Sequence, residues 1–121
     1  MISPHALELA QTLVRMNTVS HRSNLELIHF IRDHLAQLGV KSRLTWNAEV
    51  ILSGHTDTVP WDGQDWSMDP LGAVVQDGRL FGRGSADMKA FIGIALSQAE
   101  QFLNSDAPFA VHFAFTYEEE I

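Results

Sequence analysis

The sequence predicts an α/β layered domain. Three observations carry that expectation: helical periodicity in two N-terminal segments, apolar runs of strand length farther on, and an Asp77-Gly78 turn pair between two such runs. Helices alternating with strands, with one hairpin inserted, is the pattern of helices layered on a sheet.

Taken in order, residues 4–16 place Leu7, Leu9, Ala10, Leu13 and Val14 close to helical spacing, which predicts an amphipathic helix ending near Asn17. Ser23 and Glu26 form an S-x-x-E capping box for a second helix. Its stripe is Leu27, Ile31, Leu35 and Leu38, and Gly39 stands where a terminating glycine belongs. "VKSRLTW" alternates Val40, Leu44 and Trp46 with polar residues and reads as a strand, and "EVILSGH" reads as a second, more apolar one. A loop rich in Pro, Gly and Asp runs from Thr58 to Pro70, and "AVVQDGRLFG" is a hairpin turning at Asp77-Gly78. A helix from about Asp87 to Leu103 is expected to bury Met88, Ile92, Ala95, Leu96, Ala99 and Leu103. "FAVHFAFT" is nearly all apolar, the pattern of an interior strand buried on both faces.

Composition narrows the function classes. A chain of 121 residues makes one domain at most, and 45% hydrophobic residues against 19% charged is a foldable balance. A net charge of −7 argues against nucleic acid and anionic membrane as partners, because the cations that would neutralise phosphates are missing, and it suits a cation site. With no cysteine, any metal must be held by histidine and carboxylate. The opening "MISPHALELAQTLVRM" does not read as a signal peptide and no apolar run approaches a membrane span, so a soluble cytoplasmic protein is expected.

Three polar clusters each follow a predicted strand or hairpin: "GHTD", "GRGSADMK" and "YEEE". In layered α/β sheets, ligand sites gather beyond the carboxyl ends of strands, so all three are candidates for one rim. His55 and Asp57, two apart in extended backbone, share a face, where a carboxylate can orient an imidazole toward a metal. An ordinary polar loop is the competing reading. Asp87 follows a glycine-rich stretch and opens a helix, where a first-turn acid is also favoured by the helix dipole alone. Glu118, Glu119 and Glu120 come straight off an apolar strand, and adjacent like charges there call for a counter-cation or raised pKa values. Together these are ligands suited to zinc, manganese or cobalt. His5, His21, His29 and His34 lie on or near helices without a partnering pattern, and His112 lies within a strand, where packing is its expected role.

In order and approximate spacing, "SGHTDTVP", "LFGRGSADMKA" and "FTYEEEI" resemble the N-terminal signatures of a dizinc aminoacylase and peptidase family. That family includes acetylornithine deacetylases, succinyl-diaminopimelate desuccinylases and glutamate carboxypeptidases. "SNLELIHFIRDHLAQLGVKSRL" and "HTDTVPWDGQDWSMDP" look like the acetylornithine deacetylase branch. The resemblance implies a zinc-peptidase-like catalytic domain with a central mixed sheet flanked by helices, and a second, smaller domain. It implies two Zn2+ ions, with Co2+ as a possible substitute. It assigns His55, Asp87 and Glu120 as metal ligands, with Asp87 bridging and followed by a cis peptide to Met88. Asp57 would orient His55, Glu119 would be the general base, and Glu118 a supporting residue. The implied reaction is hydrolysis of a small-molecule N-acyl amino acid, with N2-acetylornithine the leading substrate and the full-length protein a homodimer. No substrate-binding residue is assigned.

The pattern also departs from the family's. A further acidic ligand, a late histidine and the substrate-binding arginines have no counterpart in residues 1–121. The expectation is therefore an N-terminal portion of the catalytic domain, without the lid or dimerisation domain, that is poorly active alone. A strand usual in relatives between "TWNA" and "VILSGH" is missing, and Ala90 replaces a common glycine. Rival readings are a desuccinylase or general N-acyl-amino-acid hydrolase, a non-catalytic truncated remnant, and an acidic α/β domain without metal.

Overall fold

A computed structural model describes residues 3–19, 22–42, 50–106 and 111–121. Helix α1 (Pro4–Arg15) begins where Ser3 Oγ accepts the Ala6 N–H at 3.1 Å and Pro4 supplies a pre-set φ. It buries Ala6, Leu9, Ala10, Leu13 and Val14, the stripe that the periodicity predicts apart from half-buried Leu7.

Helix α2 (Leu25–Gln37) buries Leu27, Ile31 and Leu35, while Leu38 is half-buried. The capping box does not form. Asn24 is the N-cap, Ser23 Oγ accepts the Leu25 N–H at 3.3 Å, and the Asn24 side chain is drawn away to Thr56. Gly39 does end the helix: at φ +79° its N–H donates to Ala36 O, and the Val40 N–H donates to Leu35 O, a Schellman pair.

Strand β1 (Val50–His55) pairs in parallel with β4 (Val111–Thr116), His55 opposite Thr116. The hairpin β2 (Val74–Gln76) and β3 (Arg79–Phe81) forms a separate antiparallel pair. Among the described residues these strands form two two-stranded sheets, layered with helices as an α/β fold. The strand expected at Val40–Trp46 falls largely outside the described residues, and Val40–Ser42 are not strand. β4 is partly exposed rather than buried on both faces: an open groove runs along its Val111, Phe113 and Phe115. An apolar groove of about 740 Å³ runs between α2 and β4, lined by Ile28, Leu35, Val40, Phe113 and Phe115.

The expected helix from Asp87 to Leu103 is three pieces. An irregular wide turn covers Ser85–Lys89, followed by α3 (Ala90–Ser97) and α4 (Ala99–Leu103). Asp87 and Met88 have non-helical dihedrals, and the peptide between them is cis. Ile92, Ala95, Leu96 and Ala99 are buried, Met88 is half-buried, and Leu103 is 53% exposed. α1 and α3 approach closely: a Cβ at Gly93 would lie 2.7 Å from Ala10 N. The core joins Leu9 and Leu13 of α1, Leu27, Ile31 and Leu35 of α2, and Ile92 and Leu96 of α3. No helix among the described residues is long and apolar enough to cross a membrane.

Candidate metal centre

The carboxyl end of β1 carries the chain into a buried polar turn. His55, Thr56, Asp57 and Thr58 are each no more than 6% exposed, so their polar groups must be satisfied internally. Thr56 ties three segments together. Its N–H and its hydroxyl both donate to Thr116 O at 2.9 Å, extending the β1–β4 ladder by one residue. Asn24 Nδ2 donates to Thr56 Oγ1 at 2.8 Å, Thr18 Oγ1 donates to Thr56 O, and the Thr58 N–H donates to Thr18 O at 3.0 Å. The connection between α1 and α2 is thereby fastened under the site.

His55 stands at the centre. Its Nε2 lies 3.0 Å from Asp87 Oδ1 and 3.9 Å from Glu119 Oε2. Its Nδ1 lies 3.1 Å from the Asp57 carbonyl and 3.4 Å from Asp57 Oδ1. Burial disfavours the charged imidazole. The hydrogen bond and charge of Asp87, the Asp57 carbonyl and the Glu119 charge outweigh it, and the net effect is a His55 pKa above the ordinary value.

The Ser85–Lys89 turn presents Asp87. Behind it Lys89 is 1% exposed, its Nζ donating to Met16 O at 2.6 Å, and burial lowers its pKa to about 8. Gly84 opens the turn at φ +76°, close enough to Thr58 that an added Cβ would lie 2.5 Å from the threonine methyl. After β4 the chain turns through Glu118, at φ +62°, and the Glu119 and Glu120 N–H groups donate to the Asp57 carboxylate at 3.4 and 3.2 Å.

One potential ligand atom from each of His55, Asp87 and Glu120 lies within 4.8 Å of the others, a spacing that could hold a cation. A cavity of about 440 Å³, lined by Val59, Trp66, Phe81 and Arg83, reaches Asp87 and Glu120. The structure therefore brings His55, Asp57, Asp87, Glu119 and Glu120 to one rim; Glu118 is exposed beside them. The other described histidines lie elsewhere, the rings of His5 and His34 tilted against each other 5.9 Å apart, while His21 lies outside the described residues. Thr18, Asn24, Thr56 and Lys89 escape a reading of the sequence. Single polar residues in a loop or helix carry no periodicity, and their partners lie 32 to 73 positions away.

The family model described as peptidase family M20/M25/M40 matches residues 51–121, more than half of the chain. An acetylornithine deacetylase of Pasteurella multocida is 31% identical over 121 aligned residues, covering 81% of this chain and 32% of that protein. Succinyl-diaminopimelate desuccinylase 2 of Ruegeria sp. is 47% identical over 57 residues, covering 46% of this chain and 14% of that protein. Among solved structures, an M20 family metallo-carboxypeptidase from Sulfolobus solfataricus superposes with a TM-score of 0.80 at 18% identity, over 98% of this chain and 32% of that one. Human carnosine dipeptidase 1 follows at 0.75 and 23%, over 96% of this chain and 33% of that one. These superpositions establish the α/β fold, and the matched region spans about a third or less of each of these relatives. The chain belongs to peptidase family M20/M25/M40.

Proposed function

We propose that residues 1–121 form the N-terminal portion of a metallohydrolase catalytic domain that cleaves the acyl amide of a small N-acyl amino acid, with N2-acetylornithine the leading substrate. The observation that carries the reading is the convergence of His55, Asp87 and Glu120 within 4.8 Å beyond the carboxyl end of β1. These three would hold a divalent ion, zinc first and cobalt as a substitute. When bound, zinc supplies Lewis-acid polarisation of the acyl carbonyl and acidifies water. The chain's own residues do the rest. His55 offers Nε2 while the Asp57 carbonyl holds Nδ1–H. Glu119 reaches to 3.9 Å from His55 Nε2, placed to take the proton of the attacking water and return it to the leaving amine.

The substrate rests on the deacetylase similarity, which extends over 81% of this chain. The higher identity to a desuccinylase, over a shorter stretch, favours N-succinyl-diaminopimelate as the second reading. Zinc titration by calorimetry tests the site: the wild-type chain takes up zinc, and Asp87→Ala weakens uptake on the order of 100-fold. No uptake, or uptake unchanged in Asp87→Ala, overturns the assignment. Among the described residues there is one such cluster of three ligands, fewer than a pair of ions needs, so the 121-residue chain alone should hydrolyse little of either substrate. Clear turnover by the purified chain would refute that expectation, and the preferred acyl group would choose between the readings.

A further inference from the structure

We propose that Trp66 is a substrate-contacting wall of the cavity beside the metal centre, where it takes an uncharged aliphatic segment of the N-acyl amino acid, and that Arg83 is the positioning residue that holds it there. This rests on the metallohydrolase reading, whose substrate the cavity would receive. Trp66 is 36% exposed, so its ring is not used up by the core. With Val59 and Phe81 it lines the cavity of about 440 Å³ that Asp87 and Glu120 also line. Apolar walls around a few convergent polar groups, in a space of this size, are the usual make-up of a small-molecule site.

A wall on a polar loop selects a ligand only if the loop is held in place. Arg83, Gln64 and Trp66 close a triangle that holds it. Arg83 Cζ lies 5.0 Å from the centroid of the Trp66 ring, a cation over an aromatic face. Arg83 Nη2 donates to Gln64 Oε1 at 2.5 Å, and Trp66 Nε1 donates to the same oxygen at 3.1 Å. A side-chain carbonyl has two lone pairs, enough for both donors. The Arg83 main chain fastens the far end of the loop, its N–H donating to Pro70 O at 2.7 Å, while the Gln64 N–H donates to Trp61 O at 3.1 Å and closes a turn within it. Arg83 stands four positions before Asp87. The loop that carries the wall and the turn that carries a metal ligand therefore share one anchor. Arginine suits that task because its planar group stacks on an indole while its fork donates in plane, whereas a lysine ammonium supplies charge without the plane.

The test titrates the 15N-labelled chain, with and without zinc, with N-acetyl-L-norleucine and with N-acetylglycine, reading binding at the Glu120 amide and the Trp66 indole N–H. The norleucine compound should shift the indole signal and bind about tenfold more tightly, the preference expected when roughly two methylenes of its side chain are covered. Trp66→Ala should erase that preference. Arg83→Ala should move the indole signal before any ligand is added and cut the preference by about threefold or more. Arg83→Lys should recover part of it, since the charge near the ring is kept. Equal binding of the two compounds by the wild-type chain, or binding of neither, overturns the wall, a result that needs no variant to fold. So does a preference that survives Trp66→Ala. An indole signal and a preference both unchanged in Arg83→Ala overturn the positioning role. Zinc uptake, measured on the same samples, separates this from the metal site. The norleucine preference in a chain that takes up no zinc would leave the wall standing and the metal site refuted, and zinc uptake without the preference would refute the wall alone.

Discussion

The carboxyl end of β1 and the β2–β3 hairpin are both short, polar-tipped turns, yet they are held in opposite ways. The hairpin is a local object. Asp77 and Gly78 both take positive φ, at +50° and +72°, three residue pairs close behind them, and Val74 and Val75 remain exposed. At the end of β1, His55 to Thr58 are buried, and apart from the contact of His55 with Asp57 the partners named here lie 32 to 63 positions away in sequence. A two-residue turn can be specified by its own backbone preferences. A buried polar rim is specified only when distant segments arrive together with matching donors and acceptors. The contrast locates the site: the long-range network gathers the reactive side chains, and the hairpin frames the cavity beside them.

Substitutions that probe both regions sharpen the contrast. The largest effect should come from Gly84→Ala at the rim. Left-handed strain combines there with a Cβ 2.5 Å from the Thr58 methyl, and the loss should be about 2–5 kcal/mol in denaturant unfolding. A loss below that of Gly78→Ala would erase the distinction between the regions.

Next comes Lys89. Its folded pKa of about 8 lies below the ordinary lysine value of 10.5, so between these values the unfolded chain binds more protons and stability rises with pH. Below about pH 8 both states are charged and this dependence vanishes. The full amplitude, about 3 kcal/mol from the size of the shift, should appear as the difference between wild type and Lys89→Met across that window. A flat difference from pH 8 to 10 would show that the lysine is not held in a low-dielectric site.

Thr56→Val keeps shape but removes the hydroxyl that donates to Thr116 O and accepts from Asn24, a change of about 1–2 kcal/mol. The smallest effect is expected at the hairpin tip, where Gly78→Ala meets nothing within 4 Å and adds only conformational strain of about 1 kcal/mol. Zinc uptake should be unchanged by it. Altered uptake would mean that the hairpin is coupled to the site after all.

Much of this was legible in the residues. The stripes of α1 and α2, the Gly39 terminator and the Asp77-Gly78 turn all follow local rules. Three ordered motifs pointed to one rim, and the structure brings their residues together there. Other expectations failed where tertiary demands outweighed local preference. Asn24 gives up a capping role to reach Thr56, so the capping box at Ser23 and Glu26 does not close. The helical periodicity around Met88 and Ile92 hides an irregular turn that leaves Asp87 outside the helix and facing His55. β4 is apolar enough for a fully covered strand, yet pattern alone does not say what packs on a strand's faces.

By itself the sequence determined what depends on neighbours along the chain: helix faces, the hairpin, the absence of thiolate ligands and the types of residue available to a cation. The tertiary structure decided which polar atoms face one another. His55 meets Asp87 across 32 positions, and the Asp57 carboxylate meets the Glu120 N–H across 63. The reason is physical. Local propensities act over a turn or two of backbone, whereas a buried polar group is stabilised by whichever partner the packing of α1, α3 and the β1–β4 pair delivers to it.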